Sequence, residues 1–189
     1  ERDLKKFANT QQRELMSGIA EAYSQVGDLK TALSFWKRMG DEQPRDLTPR
    51  LIQFDMAIQD GLKEEVDRII SEIQSIEGPD GSIWRYARAR TLMEESRRTG
   101  GDPAKLTTAR DLLNQVALKR PAWSRPPLAL GEIDDLLNST NLALRNYLRA
   151  IRLGDRSPLV IRRSIQILVQ QRRYEQADQI LRQLQEQLP

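Results

Sequence analysis

Three acids in the segment "GEIDDLL", Glu132, Asp134 and Asp135, are the residues of this chain whose types and spacing come nearest to chemistry. Two carboxylates held ~5–10 Å apart can act as acid and base across a glycosidic bond. Little else in the sequence supports catalysis. The 189 residues include no histidine and no cysteine, which removes the commonest general base, the commonest sulfur nucleophile and most zinc ligand sets. No Gly-rich phosphate loop or nucleophile elbow accompanies the acids, and the same spacing reads equally as the polar face of a helix. The expectation is no enzyme, no cofactor and no metal.

Cations offer a second chemistry. Arginine supplies 23 of the 30 basic residues, and Arg145, Arg149, Arg152 and Arg156 follow one another along one helix face and its end. Residues 1–80 carry 11 basic against 16 acidic groups, and residues 81–189 carry 19 against 11. The two halves therefore attract different partners. A solvated face is the simplest account of the arginine stripe, with binding to acidic protein or nucleic acid as the alternatives.

The elements that carry these residues are helices. Leu, Ala, Arg, Gln and Glu dominate, and aromatic residues make up only 5%, a helical composition. No apolar run approaches the roughly 20 residues of a membrane span, and "ERDLKKFANT" contains no signal-peptide core. The chain is expected to be soluble and not inserted in a membrane, cytoplasmic in preference to exported, although a sequence without cysteine leaves the redox compartment open. In "AYSQVGDLKTALSFWKRM", two apolar stripes at helical spacing are divided by Gly27-Asp28, which can end one helix and cap the next. The predicted helix pairs are 12–26 with 28–41, 47–60 with 62–76, 82–97 with 103–119, 125–137 with 140–153, and 158–171 with 173–187. Thr48-Pro49, Asp102-Pro103 and Ser157-Pro158 read as N-caps followed by proline at the first helical position.

This hairpin recurs. A small residue followed four later by a bulky one appears as Ala32/Trp36, Val66/Ile70, Ala109/Leu113, Ala143/Tyr147 and Ala177/Leu181, so the small positions step by 34, 43, 34 and 34. Twelve residues after each stands Pro44, Gly78, Pro121, Asp155 or Pro189; all but the aspartate are helix breakers. A fixed period of this length marks an array of helix-turn-helix units. The step of 43 places nine extra residues around Ser96 to Lys105, and predicts a longer third hairpin with Gly100-Gly101 at its tip. A surface insertion explains the extra length more simply than a contact finger does.

The spacing resembles the tetratricopeptide repeat (TPR). Tyr23, Gly27, Ala32, Trp36 and Pro44 carry its pattern in the first unit, and Leu130, Gly131, Ala143, Tyr147 and Ala150 in the fourth. Single units depart from it: the second has Val66 for Ala, and the third has Arg88 where a small residue is usual. The resemblance covers nearly the whole chain and implies an all-α, right-handed α-solenoid of about five antiparallel repeats, near 12–44, 47–78, 81–121, 124–155 and 158–189, in one repeat domain over 1–189. First helices would line a concave face.

The function implied is a protein–protein interaction scaffold that binds a partner peptide or helix in that groove. On the repeat register the groove positions are Ser17, Glu21 and Ser24; Leu51, Asp55 and Ile58; Arg85, Ala89 and Leu92; Leu128, Glu132 and Asp135; and Arg162, Gln166 and Val169. Chaperone-binding members of the family hold a terminal carboxylate with a Lys/Asn/Asn/Lys/Arg set. The matching positions here are Ser17, Glu21, Asp55, Arg85 and Ala89, so no such clamp is expected. RNA binding is the alternative, because helical repeats can read bases, but Glu21, Asp55, Glu132 and Asp135 in the groove would repel phosphate, so no specific nucleic acid is expected. A start at Glu1 without methionine and a stop at the closing position Pro189 suggest a piece of a longer repeat protein, or a chain whose Leu181/Leu184 face is covered by end-to-end self-association.

Overall fold

A helical hairpin needs a stop, a reversal and a start within a few residues, and the chain supplies these repeatedly. The computed structural model describes the backbone of residues 9–185 and the side chains of residues 11–182. The "DLKKFA" segment, the Leu184 side chain and the closing Pro189 lie outside the described residues. Among the described residues the fold is all-α: α1 (Asn9–Gln25), α2 (Leu29–Glu42), α3 (Thr48–Gln59), α4 (Lys63–Glu77), α5 (Ile83–Arg98), α6 (Pro103–Lys119), α7 (Arg125–Leu136), α8 (Thr140–Arg152), α9 (Pro158–Gln170) and α10 (Tyr174–Gln185). The chain divides into two compact units, residues 1–91 and 92–189.

In the first unit, α1 ends on Gly27 at φ 84°. The Gly27 N–H donates to the Ser24 carbonyl at 3.1 Å and the Asp28 N–H to the Tyr23 carbonyl at 2.9 Å, the paired bonds of a Schellman stop. Asp28 then caps α2, its carboxylate accepting from the Thr31 N–H at 3.1 Å. Gly61, at φ 70°, repeats the stop between α3 and α4. The core of this unit contains Met16, Ala20, Trp36 and Met39, with Phe54, Ile69 and Ile73 also buried. Thr48 is not the N-cap of α3: Leu47 holds that position, and the Asp46 carboxylate accepts from the Thr48 N–H at 3.0 Å. An aspartate two residues upstream thus satisfies the Thr48 N–H, and no side chain caps α3 as the threonine hydroxyl was expected to. The Glu77 carboxylate, at the end of α4, accepts from the N–H groups of Ile83 (2.8 Å) and Trp84 (3.0 Å) and so covers the start of α5.

α5, which begins in the first unit and ends in the second, and α6 run to 16 and 17 residues, against 12 or 13 in α7 to α10. The longer third hairpin is therefore present, with Gly100 and Gly101 both at positive φ in its turn. Asp102 caps α6, accepting from the Ala104 N–H at 3.0 Å, while Ser157 caps α9 without a side-chain bond. The core of the second unit gathers Leu144, Tyr147, Ile151, Val160, Ile167 and Leu168 around the small Ala143 and Ala177.

All five small positions of the period, Ala32, Val66, Ala109, Ala143 and Ala177, are buried, as are the bulky Trp36, Ile70, Leu113 and Tyr147. A small side chain lets two helices approach, and the bulky one a turn later fills the groove beside it. Leu181, the fifth bulky residue, is 45% exposed. The small residue of the third unit is Ala89 and not Arg88. Ala89 is fully buried and Arg88 is exposed, and Ala89 stands as far into α5 as Gly131 does into α7. No helix among the described residues is long and apolar enough to cross a membrane.

Candidate functional site

Four of the residues expected in the groove, Glu132, Asp135, Arg162 and Gln166, meet around one cavity of about 390 Å3 in the second unit. It lies against α7 and α9, with Arg97 from the last turn of α5 also on its wall. Both α7 and α9 begin with proline in their first turn, where the missing N–H costs nothing and φ is already helical.

The cavity is framed by a polar brace. Arg163 grips Asp135 in a bidentate pair, Nε and Nη2 each donating to a carboxylate oxygen at 2.8 Å. The Tyr147 hydroxyl of α8 donates to the same carboxylate at 3.0 Å. The hydrogen bond from Arg163, aided by Tyr147, holds the Asp135 carboxyl below its usual range, while burial, reinforced by the Asp135 charge, pushes the Tyr147 phenol up. The tyrosine ring lies directly on the α7 backbone. A Cβ added to Gly131 would stand 2.5 Å from two ring carbons, so glycine is required there for a steric reason and not for its φ.

The neighbouring acid is fully committed to the interior. Asp134 has no exposed surface; its carboxylate accepts from Asn146 Nδ2 at 2.7 Å and pairs with Arg110 Nη2 at 2.8 Å. Glu132 faces Arg97 at 3.6 Å. The three acids that come nearest to catalytic types in the sequence are thus each set against a guanidinium.

Of the cavity's three guanidinium groups, Arg163 is spent on Asp135, and Arg97 is shared between Glu94 at 3.7 Å and Glu132. Arg162 is exposed and has no hydrogen bond or ion pair among the described residues. Leu136, 43% exposed, and Leu159, 58% exposed, form the apolar part of the wall with the buried Val160.

The other expected groove residues do not join this cavity. Leu92 is buried and Leu128 packs against the core of the second unit. Val169 is exposed. In the first unit Ser17 bonds to the Glu14 carbonyl at 2.9 Å, Glu21 and Ser24 are exposed, Asp55 and Ile58 are half-buried, and Leu51 and Ala89 are buried. Arg85 folds back on its own loop, donating to the Gly81 carbonyl at 2.6 Å and lying 4.8 Å over the Trp84 ring.

Sequence reasoning missed Arg97, Arg163, Leu136 and Leu159, and took Tyr147 only as a packing residue. The Asp135–Arg163 pair spans 28 residues, beyond the reach of any local pattern; the doublet Arg162-Arg163 on α9 was the one available signal. Arg97 belongs to the extra length of the third hairpin, which therefore contributes a wall of the cavity.

A second cavity, of about 600 Å3, lies in the first unit between the starts of α2 and α4, walled by Leu29, Leu33 and Leu62 with Lys30, Lys37 and Glu65 at its edge. Lys37 pairs with Asp41 at 2.8 Å and Glu65 pairs with Arg68, while Lys30 and Glu64 of its lining form no ion pair among the described residues.

No protein-family model and no curated protein matches the sequence. Solved structures do match the fold. A thermophilic TPR protein of Thermus thermophilus, TTC0263, is 17% identical over 94% of this chain and 92% of its own, with a TM-score of 0.65. PilF of Pseudomonas aeruginosa is 16% identical over 89% of this chain and 72% of its own, with a TM-score of 0.59. MamA of Desulfovibrio magneticus RS-1 is 15% identical over 92% and 93%, with a TM-score of 0.50. The five hairpins, their buried small residues and these likenesses together give the chain a TPR-like, all-α helical-repeat fold.

Proposed function

We propose that this chain is a non-catalytic protein–protein interaction scaffold that holds a peptide or helix of a partner protein against the α7 and α9 faces of its second unit. The observation that carries the proposal is the cavity in which Glu132, Asp135, Arg162 and Gln166, four positions expected in the groove, stand together beside exposed leucines. Mixed apolar and charged concavities on rigid elements suit peptide capture, since the apolar wall supplies affinity and the polar groups fix register. The pairing of Asp134 and Asp135 with arginines supports the non-catalytic part of the proposal. Recognition of a free chain end is not part of it, because four of the five positions that would hold a terminal carboxylate are Ser17, Glu21, Asp55 and Ala89.

Selection of a displayed library of 15-residue peptides against the immobilised chain tests this, with each enriched peptide remeasured in solution by calorimetry. Micromolar binders whose affinity is unchanged by amidating their C-termini, and is lost when Leu159→Asp is introduced, are expected. Failure to enrich any peptide over an unrelated helical protein would contradict the scaffold, and enrichment only of free C-terminal acids would contradict the groove assigned to it.

A further inference from the structure

We propose that Arg162 is the recognition cation of the α7/α9 cavity, and that it takes the carboxylate of an Asp or Glu side chain from a partner segment whose neighbouring apolar residue packs on Leu136 and Leu159. The proposal deepens the scaffold function and rests on it.

The charges of the cavity leave one cation over. Arg97, Arg162 and Arg163 face Glu132 and Asp135. Both carboxylate oxygens of Asp135 are held by Arg163, and one of them also by the Tyr147 hydroxyl, so Asp135 is fixed away from capturing Arg162. Arg97 bridges Glu94 and Glu132. The remaining guanidinium, Arg162, is exposed and has no partner among the described residues. An arginine fork binds a carboxylate through two parallel N–H bonds, and Gln166, one helical turn further along α9 and on the same wall, offers an amide beside it.

The size of the surplus selects the ligand. One uncompensated positive charge matches a monoanionic carboxylate. A phosphate chain would bring repeated charge against Glu132 and Asp135 in the same cavity. Exposed Leu136 and Leu159 ask for an apolar residue next to the acid, which a peptide supplies and a nucleic-acid backbone does not. An acidic, leucine-bearing segment is therefore the occupant that satisfies both walls.

Three acetylated and amidated 16-residue peptides, with Leu along one face and Glu, Gln or Lys along the other, provide the probes, read by fluorescence anisotropy. The wild-type chain is expected to bind Leu/Glu roughly tenfold more tightly than Leu/Gln, with Leu/Lys the weakest. Arg162→Gln should abolish the preference for Glu over Gln without changing the melting temperature, and Arg162→Glu should turn the preference toward Leu/Lys. Equal binding of Leu/Glu and Leu/Gln by the wild type, or a preference that survives Arg162→Gln, would overturn the assignment of Arg162 and leave the scaffold standing. Binding of none of the three would overturn both. A 15-nucleotide single-stranded RNA that displaces Leu/Glu at physiological salt and loses its own affinity in Arg162→Gln would assign the arginine to phosphate instead.

Discussion

The two units close their hairpins on one backbone motif with different residues. In the first unit the left-handed position is glycine both times, Gly27 at φ 84° and Gly61 at φ 70°; the second keeps glycine in its first turn, Gly100 at φ 80°, but its last two hairpins place Asn138 at φ 56° and Arg172 at φ 59° there. The bonds around it do not change. Asp28 to Tyr23, Leu62 to Ala57, Ser139 to Asp134 and Arg173 to Leu168 are N–H to carbonyl contacts of 2.8 to 2.9 Å, all with the same offset. Helix packing, set by the small-then-bulky pairs, thus imposes the turn even where a side chain opposes it. The polar braces differ in sign as well. The first unit buries a cation: Arg50 is 6% exposed, donates to the Gly40 carbonyl at 2.9 Å and lies 3.5 Å from Glu72. The second buries an acid, Asp134. A unit that takes carboxylates inside leaves arginines outside, and Arg162 is one of them.

The largest expected effects come from removing these braces. Arg50→Ala and Asp134→Ala should each cost about 3 kcal/mol in urea unfolding, because each strands buried polar partners; a loss below about 1 kcal/mol for either would show that its unit does not depend on the brace. A sharper contrast follows from one substitution made twice. Gly131→Ala drives a methyl into the buried Tyr147 ring and should cost about 2 kcal/mol despite the gain in helix propensity. Gly40→Ala meets only the tip of Arg50, at 3.0 Å, and should stay within about 1 kcal/mol of wild type. Equal losses would mean that Tyr147 can swing aside.

Smaller effects follow for the Asp135 brace and for the turns. Asp135→Asn should cost about 1–2 kcal/mol at neutral pH. The folded carboxyl titrates below its unfolded value, so its contribution is present above pH ~4 and is lost as pH falls through the folded value. The gap between wild type and Asp135→Asn should therefore narrow in acid, and a gap that widens below pH ~4 would contradict the ion pair. Arg172→Gly should stabilise by roughly 0.5–1 kcal/mol by relieving a positive φ, whereas Gly27→Arg, the reverse change in the first unit, should destabilise by a similar amount.

The helix pairs, the five buried small positions and the long third hairpin were legible because period, glycine and proline are local signals. Ala89 was displaced to Arg88 because the nine added residues break the fixed offset on which the register was counted. Thr48 was read as a cap because a hydroxyl before proline is the usual signature, and nothing nearby announces that Asp46 already satisfies its N–H. Asn138 and Arg172 carry no mark of the left-handed region, since packing over the whole hairpin puts them there. Within the site, Glu132, Asp135, Arg162 and Gln166 were placed on the repeat register, and the structure brings those four to one cavity. Which of them is spoken for was not legible. Ion pairing across 28 residues depends on the tertiary approach of α7 and α9, and only that approach separates Arg163, which holds the frame, from Arg162, which faces outward.

The contrast between the units is tested most directly by amide hydrogen exchange with and without saturating Leu/Glu peptide. Added protection is expected in α7 (Arg125–Leu136) and α9 (Pro158–Gln170) and not in α2 (Leu29–Glu42) or α4 (Lys63–Glu77). Protection that appears in α2 and α4, or that leaves α7 and α9 unchanged, would contradict the placing of the ligand site in the second unit.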